Sequence, residues 1–74
     1  MTTIGVFGLG YVGCVSAACF ANDGHDVIGV DVNPAKVDLI GRGLPTVLEE
    51  GIAELVRAAT AAGKLRAKIG RAHV

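Results

Sequence analysis

Apolar positions along the chain fall in short groups whose spacing alternates between that of a strand and that of a helix. Thr3–Phe7 is β-branched and apolar, and predicts a short buried strand almost at the N-terminus. Gly8–Gly10 predicts a turn. From Tyr11 the spacing becomes helical and continues to about Asp23, with Gly24 placed to end the helix. Gly13, Ala17 and Ala21 share one face of it, and side chains that small let a helix axis approach a sheet closely. His25-Asp26 leads into a second strand, Val27–Val30, that ends at Asp31.

Asn33 is a good N-cap type, and Pro34 suits the first helical position after it. Val37 and Ile40 give this second helix an apolar face, and it stops around Gly41 and Gly43. Pro45 marks a loop. A third helix is expected from near Glu49 to Ala62, with Ile52, Leu55, Val56 and Ala59 at helical spacing and Gly63 ending it. Leu65–Ala67 opens a third strand. No internal repeat or linker interrupts the order strand–helix–strand–helix–helix–strand. That order predicts an α/β fold with parallel strands and right-handed crossovers, the β-α-β-α-α-β portion of an incomplete, doubly wound Rossmann sheet.

Length sharpens this picture. The 74 residues are half or less of a usual dinucleotide-binding domain, so one incomplete domain is expected, marginal in stability by itself. Half of the residues are apolar but only three are aromatic, which suits a sheet covered by closely packed helices. Seven basic residues balance seven acidic ones with no basic run, so neither nucleic acid nor a membrane surface is an expected partner. No apolar run approaches the ~18 residues of a membrane span. Cys14 and Cys19 lie in one apolar stretch and suggest no disulfide framework. With no signal peptide evident, a reducing cytoplasm is the expected compartment. No metal-ligand spacing occurs.

The candidate chemistry lies in Gly8-Leu9-Gly10-Tyr11-Val12-Gly13. A lone G-x-G-x-x-G says little, but this one follows a strand, opens a helix, and has an acid closing the next strand 18 residues beyond Gly13. The dinucleotide-binding pattern expects that acid ~20 residues on. Gly8 permits the tight turn, Gly10 lets a pyrophosphate approach the backbone, and Gly13 allows the helix to pack closely on the strand. Free N–H groups and the dipole at the helix start favour phosphate. Asp31 can accept hydrogen bonds from the adenosine ribose. Its charge would repel a 2′-phosphate and no arginine follows it closely, so NAD is expected rather than NADP. Two other readings share these features: a regulatory NAD-binding module without chemistry, and an S-adenosylmethionine-dependent methyltransferase fragment. Gly13 at the helix opening and the Tyr11-Val12 pair favour NAD.

Beyond the glycine loop, Val6–Asp31 as a whole resembles the UDP-glucose/GDP-mannose dehydrogenase family. The specific residues are Phe7–Gly13, Ala18-Cys19, Gly24-His25 and Val27–Asp31, followed by Asn33–Val37. A looser match runs through Glu49, Gly51 and Leu55 to Gly63–Ala67. The resemblance implies an enzyme that oxidises the C6 hydroxyl of a nucleotide sugar to a carboxylate. Two hydrides would pass to two NAD molecules, by way of a thiohemiacetal and a thioester on a cysteine. It also implies a homo-oligomeric parent, cofactor contacts from Tyr11 and Val12, a ribose contact from Asp31, and Lys36 near the adenosine half. The glycine loop and the Ile28–Val32 strand end lean toward the GDP-mannose branch. The family usually has Glu-Pro-Gly-Leu where this chain has Glu49–Ile52, and its preceding proline stands here one position early, as Pro45.

Several residues tempt a catalytic reading. The resemblance places the catalytic cysteine in a downstream Gly-Gly-x-Cys motif, so Cys14 and Cys19 are expected to be small packing residues on the first helix. No catalytic residue is assigned within the chain, and the segment alone is expected to be inactive. His25 is expected to serve the turn, through local hydrogen bonding or at the surface. Glu49 and Glu50 would complement a helix dipole. The expected dinucleotide-binding segment is residues 1–67, and residues 68–74 form a tail where the resemblance stops. Ile69–Val74 translates ATC GGA AGA GCA CAC GTC, which resembles a sequencing-adapter oligonucleotide. The adapter's preceding AG would turn a threonine codon at 68 into lysine, so this tail is expected to be read-through rather than native protein.

Overall fold

The computed structural model describes residues 2–46 and 51–70. Its elements are β1 (Thr3–Phe7), α1 (Tyr11–Asn22), β2 (Asp26–Asp31), α2 (Pro34–Gly41), α3 (Ile52–Ala61) and β3 (Leu65–Ile69). The strands form one parallel sheet in the order β1-β2-β3. Ile4 pairs with Val27 and Val27 with Leu65; Val6 pairs with Gly29 and Gly29 with Ala67. These six residues therefore form two rows on one face, and that face carries the core.

The core joins Val27 and Leu65 of the sheet to Leu9, to Cys14, Ala17, Ala18 and Ala21 of α1, to Ile40 of α2, and to Ile52, Val56 and Ala59 of α3. Of the expected small-residue face of α1, Ala17 and Ala21 are buried, together with Cys14 and Ala18, while Gly13 is half-buried. Asn22 ties α1 to α3, donating from Nδ2 to the carbonyls of Ala18 at 2.8 Å and Leu55 at 3.2 Å. The opposite face of the sheet carries Gly5, Phe7, Ile28, Val30, Arg66 and Lys68, and Phe7 is 82% exposed.

The helix ends follow their local chemistry. Asn33 caps α2, its Oδ1 accepting from the Ala35 N–H at 2.9 Å, with Pro34 in the first turn. The three helices among the described residues close alike: a glycine N–H bonds three residues back and the next N–H five residues back, at Gly24-His25, Gly43-Leu44 and Gly63-Lys64. The stop near Gly41 and Gly43 is therefore resolved in favour of Gly43 as the closing glycine.

Two expectations are corrected. The third helix begins at Ile52, because Gly51 before it has φ +88°, a left-handed conformation that cannot continue a helix. Glu49 and Glu50 lie outside the described residues, and the acid in the first turn of α3 is Glu54. Cys14 is fully buried but Cys19 is exposed, so only one of the two cysteines packs the core. His25 serves the turn through its backbone N–H, which donates to the Phe20 carbonyl at 3.2 Å, while its Nδ1 is buried without a partner and its ring meets that of Phe20 edge-on at 6.5 Å. In addition, β2 starts at Asp26 and β3 continues to Ile69.

Candidate cofactor site

The expected site residues converge where β1 and β2 end and α1 begins. Gly8 leaves β1 with φ +93°, and its N–H still donates to the Val30 carbonyl at 2.7 Å. The chain then turns so tightly that the Gly8 carbonyl oxygen occupies the space beside Gly13. A Cβ on Gly13 would stand 1.7 Å from that oxygen. Only a residue without a side chain can hold this position.

Leu9, between the glycines, is the buried pivot of the turn. Its side chain is wholly buried and lies over Gly29 in the middle of β2, where a Cβ would come within 2.7 Å of Leu9 Cδ2. Its N–H donates to Asp31 Oδ2 at 2.7 Å, and the Asn33 N–H donates to Asp31 Oδ1 at 2.8 Å. The Leu9 carbonyl accepts a hydrogen bond from the Thr46 hydroxyl in the loop after α2. Asp31 thus links the glycine turn to the start of α2.

These contacts set the charge of the site. The Asp31 carboxyl is held below the ordinary aspartate range, first by the Leu9 N–H, then by the Asn33 N–H, with Lys36 and the Val32 N–H helping and burial opposing. Each carboxylate oxygen can accept more than one hydrogen bond, so Asp31 keeps acceptor capacity beyond its two backbone donors. Lys36, near the start of α2, favours the charged carboxylate through its own charge.

On the outer side the turn is open. The space a Gly10 Cβ would enter is empty to 4 Å, and α1 starts at Gly10 without a side-chain cap. Tyr11 and Val12 are exposed on its first turn. A helix start without a side-chain cap, at a glycine with open space beside it, is suited to phosphate. Among the described residues no group of three or more His, Cys, Asp or Glu is placed to hold a metal.

Residues 2–73 match the profile of the UDP-glucose/GDP-mannose dehydrogenase family, NAD binding domain. The chain belongs to this family. GDP-mannose 6-dehydrogenase of Pseudomonas syringae pv. tomato is 51% identical over 63 residues, which cover 85% of this chain and 14% of that protein. UDP-N-acetyl-D-mannosamine dehydrogenase of Salmonella typhimurium is 47% identical over 66 residues, 89% of this chain and 16% of that one. Among solved structures, the GDP-mannose dehydrogenase of Pseudomonas aeruginosa superposes with a TM-score of 0.83 at 43% identity, covering 90% of this chain and 15% of that one. A UDP-glucose dehydrogenase from Pyrobaculum islandicum gives 0.87 at 43% identity, covering 92% and 16%. The chain therefore spans about a seventh of the length of these relatives.

Membership makes the fold a Rossmann-type dehydrogenase N-terminal portion and the cofactor NAD. The residues present fit that cofactor: an open backbone at Gly10, an uncapped helix start, and a carboxylate at the end of β2. The sequence assigns no role of their own to Leu9, Gly29 or Thr46. A glycine inside a strand is a signal of close approach and could have found Gly29. Thr46, 37 residues from its partner, carried no such signal.

Proposed function

We propose that residues 1–67 are the NAD-binding start of a nucleotide-sugar 6-dehydrogenase that oxidises the C6 hydroxyl of GDP-mannose or UDP-glucose to the carboxylate. GDP-mannose is the favoured substrate, a preference supported by the glycine-loop sequence and by relatives of that specificity at about half identity. The observation that carries the reading is the Asp31 carboxylate anchored beside an open glycine turn. In this reading Gly8, Gly10 and Gly13 shape the pyrophosphate cradle, and Tyr11 and Val12 border it. Asp31 takes the ribose hydroxyls, and Lys36 stands by the adenosine half. NAD, when bound, accepts the hydride released from the sugar carbon. The cysteine chemistry and the nucleotide-sugar contacts belong to other parts of such an enzyme.

A methyltransferase needs no Gly13 at the helix opening, and a regulatory module would show no turnover in any context. The test is to express the complete reading frame that carries this segment and assay it with NAD and NADP against GDP-mannose and UDP-glucose. NADH formation with GDP-mannose, and much less with NADP, is expected. The 74-residue chain alone should form no NADH. A complete protein that binds S-adenosylmethionine and not NAD would overturn the reading.

A further inference from the structure

Leu9 is held at three points, and they do different work. Its buried side chain over Gly29 fixes where the residue sits. The bond from its N–H to Asp31 fixes the peptide before it, between Gly8 and Leu9. The bond from Thr46 to its carbonyl acts on the peptide after it, between Leu9 and Gly10. That second peptide joins onto a glycine, whose backbone turns with little resistance. Without a restraint on its carbonyl, the peptide plane can rotate at small cost.

We propose that Thr46 is a positioning residue of the cofactor site, holding the Leu9 carbonyl so that the Gly10 N–H faces the open side of the glycine turn. In a trans peptide the C=O and N–H point in opposite directions. A hydroxyl that captures the carbonyl therefore fixes the N–H on the opposite side of the peptide, at a glycine whose Cβ position has open space around it.

Thr46 is well placed for this. Its loop springs from the closed end of α2, where the Leu44 N–H bonds to the Leu39 carbonyl at 2.8 Å and the Gly43 N–H to that of Ile40 at 3.0 Å. Gly43 lies against α3, its Cβ position 3.7 Å from Arg57 Cα and 3.8 Å from Thr60 Cβ. The Thr60 hydroxyl donates to the Ile40 carbonyl at 3.4 Å. A loop seated on two helices can hold a hydroxyl at a fixed point over Leu9. The family pattern does not foretell this contact, since it is here that the chain departs from it, with proline one position early.

The inference rests on the reading that the glycine turn takes NAD. Its test is titration of the complete, substrate-free enzyme with NAD, ADP and adenosine, for wild type, Thr46→Val and Thr46→Ser. Removing the hydroxyl in Thr46→Val should weaken NAD and ADP about fivefold, the usual worth of one neutral hydrogen bond. Adenosine lacks the pyrophosphate and should bind as in wild type. Thr46→Ser keeps the hydroxyl and should restore NAD and ADP affinity. In turnover, KM for NAD should rise while kcat and KM for the nucleotide sugar stay put. Thr46→Ala carries the same expectation should the valine crowd the loop. Unchanged NAD affinity in both hydroxyl-free variants, or equal loss of adenosine and ADP, would overturn the role of Thr46. Wild-type enzyme that binds none of the three would instead overturn the NAD reading beneath it.

Discussion

The carbonyl oxygen of Gly8 occupies the position that a side chain on Gly13 would need, 1.7 Å from a Cβ built there. The first and last glycines of the loop are therefore a single device: the tightness of the turn at one creates the demand for glycine at the other. Gly13→Ala forces the turn to open or the start of α1 to move. The expected result is a loss of roughly 1–3 kcal/mol or more in stability, typical of overpacking, together with loss of NAD binding. Urea unfolding and NAD titration of the variant check both. A variant that binds NAD normally would mean that the turn relaxes freely.

Asp31 should reveal itself in two measurements. Replacing it by alanine removes a charged acceptor from the ribose, and NAD affinity should fall by at least about tenfold. Unchanged affinity would remove Asp31 from the site.

Acid titration is the second. Because the native carboxyl titrates below the ordinary aspartate range, the folded state binds fewer protons than the unfolded one in the window between the two values. Its stabilisation is complete above the ordinary value and is lost as pH falls through the depressed native one. The advantage of wild type over Asp31→Asn should thus be flat near neutrality and shrink in acid. Stability curves for the two proteins that run parallel down to low pH would contradict this.

Leu9 and Gly29 should be energetically coupled. Gly29→Ala places a methyl 2.7 Å from Leu9 Cδ2 and should destabilise by roughly 1–3 kcal/mol. Leu9→Ala leaves a cavity and should cost roughly 2–5 kcal/mol. In the double variant the added methyl enters the vacated space, so the combined loss should be smaller than the sum. A double-mutant cycle by chemical denaturation reads the difference, and strict additivity would show that the two side chains do not share that space.

The tail makes a prediction about nucleic acid rather than protein. If residues 69–74 are adapter read-through, resequencing the source locus across codon 68 should return a threonine codon there and a different continuation. The extension of β3 through Lys68 and Ile69 bears little on the matter, because parallel pairing uses backbone groups that any residue but proline supplies. The same codons in the native locus, ending in a stop after Val74, would end this idea.

What was legible in the sequence, and what was not, divides along physical lines. β1 and α1 were readable because local spacing and terminal glycines specify them directly. Asn33-Pro34 announced α2, and the bond from the Ala35 N–H to Asn33 is the contact its type suggests. Helical spacing alone puts the start of α3 too early, because Gly51 interrupts it with a left-handed turn. Apolar composition puts Cys19 inside, but it does not tell which side of α1 faces water. In the site, the glycines and Asp31 belong to a recognisable pattern. The contacts of Leu9 with Gly29 and Thr46 join residues remote in sequence, and such pairings exist only once the sheet has formed.

The sheet has two unlike faces. Helices cover the one with Val27 and Leu65, while Phe7, Ile28 and Val30 lie on the other, with Phe7 largely in water. For material prepared at the bench this asymmetry sets colloidal behaviour. An oily strip beside the outer edge of β1 invites a second molecule to stack or to pair, in a manner that grows with concentration and owes nothing to the cofactor turn. Turbidity and lost yield would then be properties of Phe7 and its neighbours on that face, although Phe7 ends β1 and directly precedes Gly8 of the glycine turn.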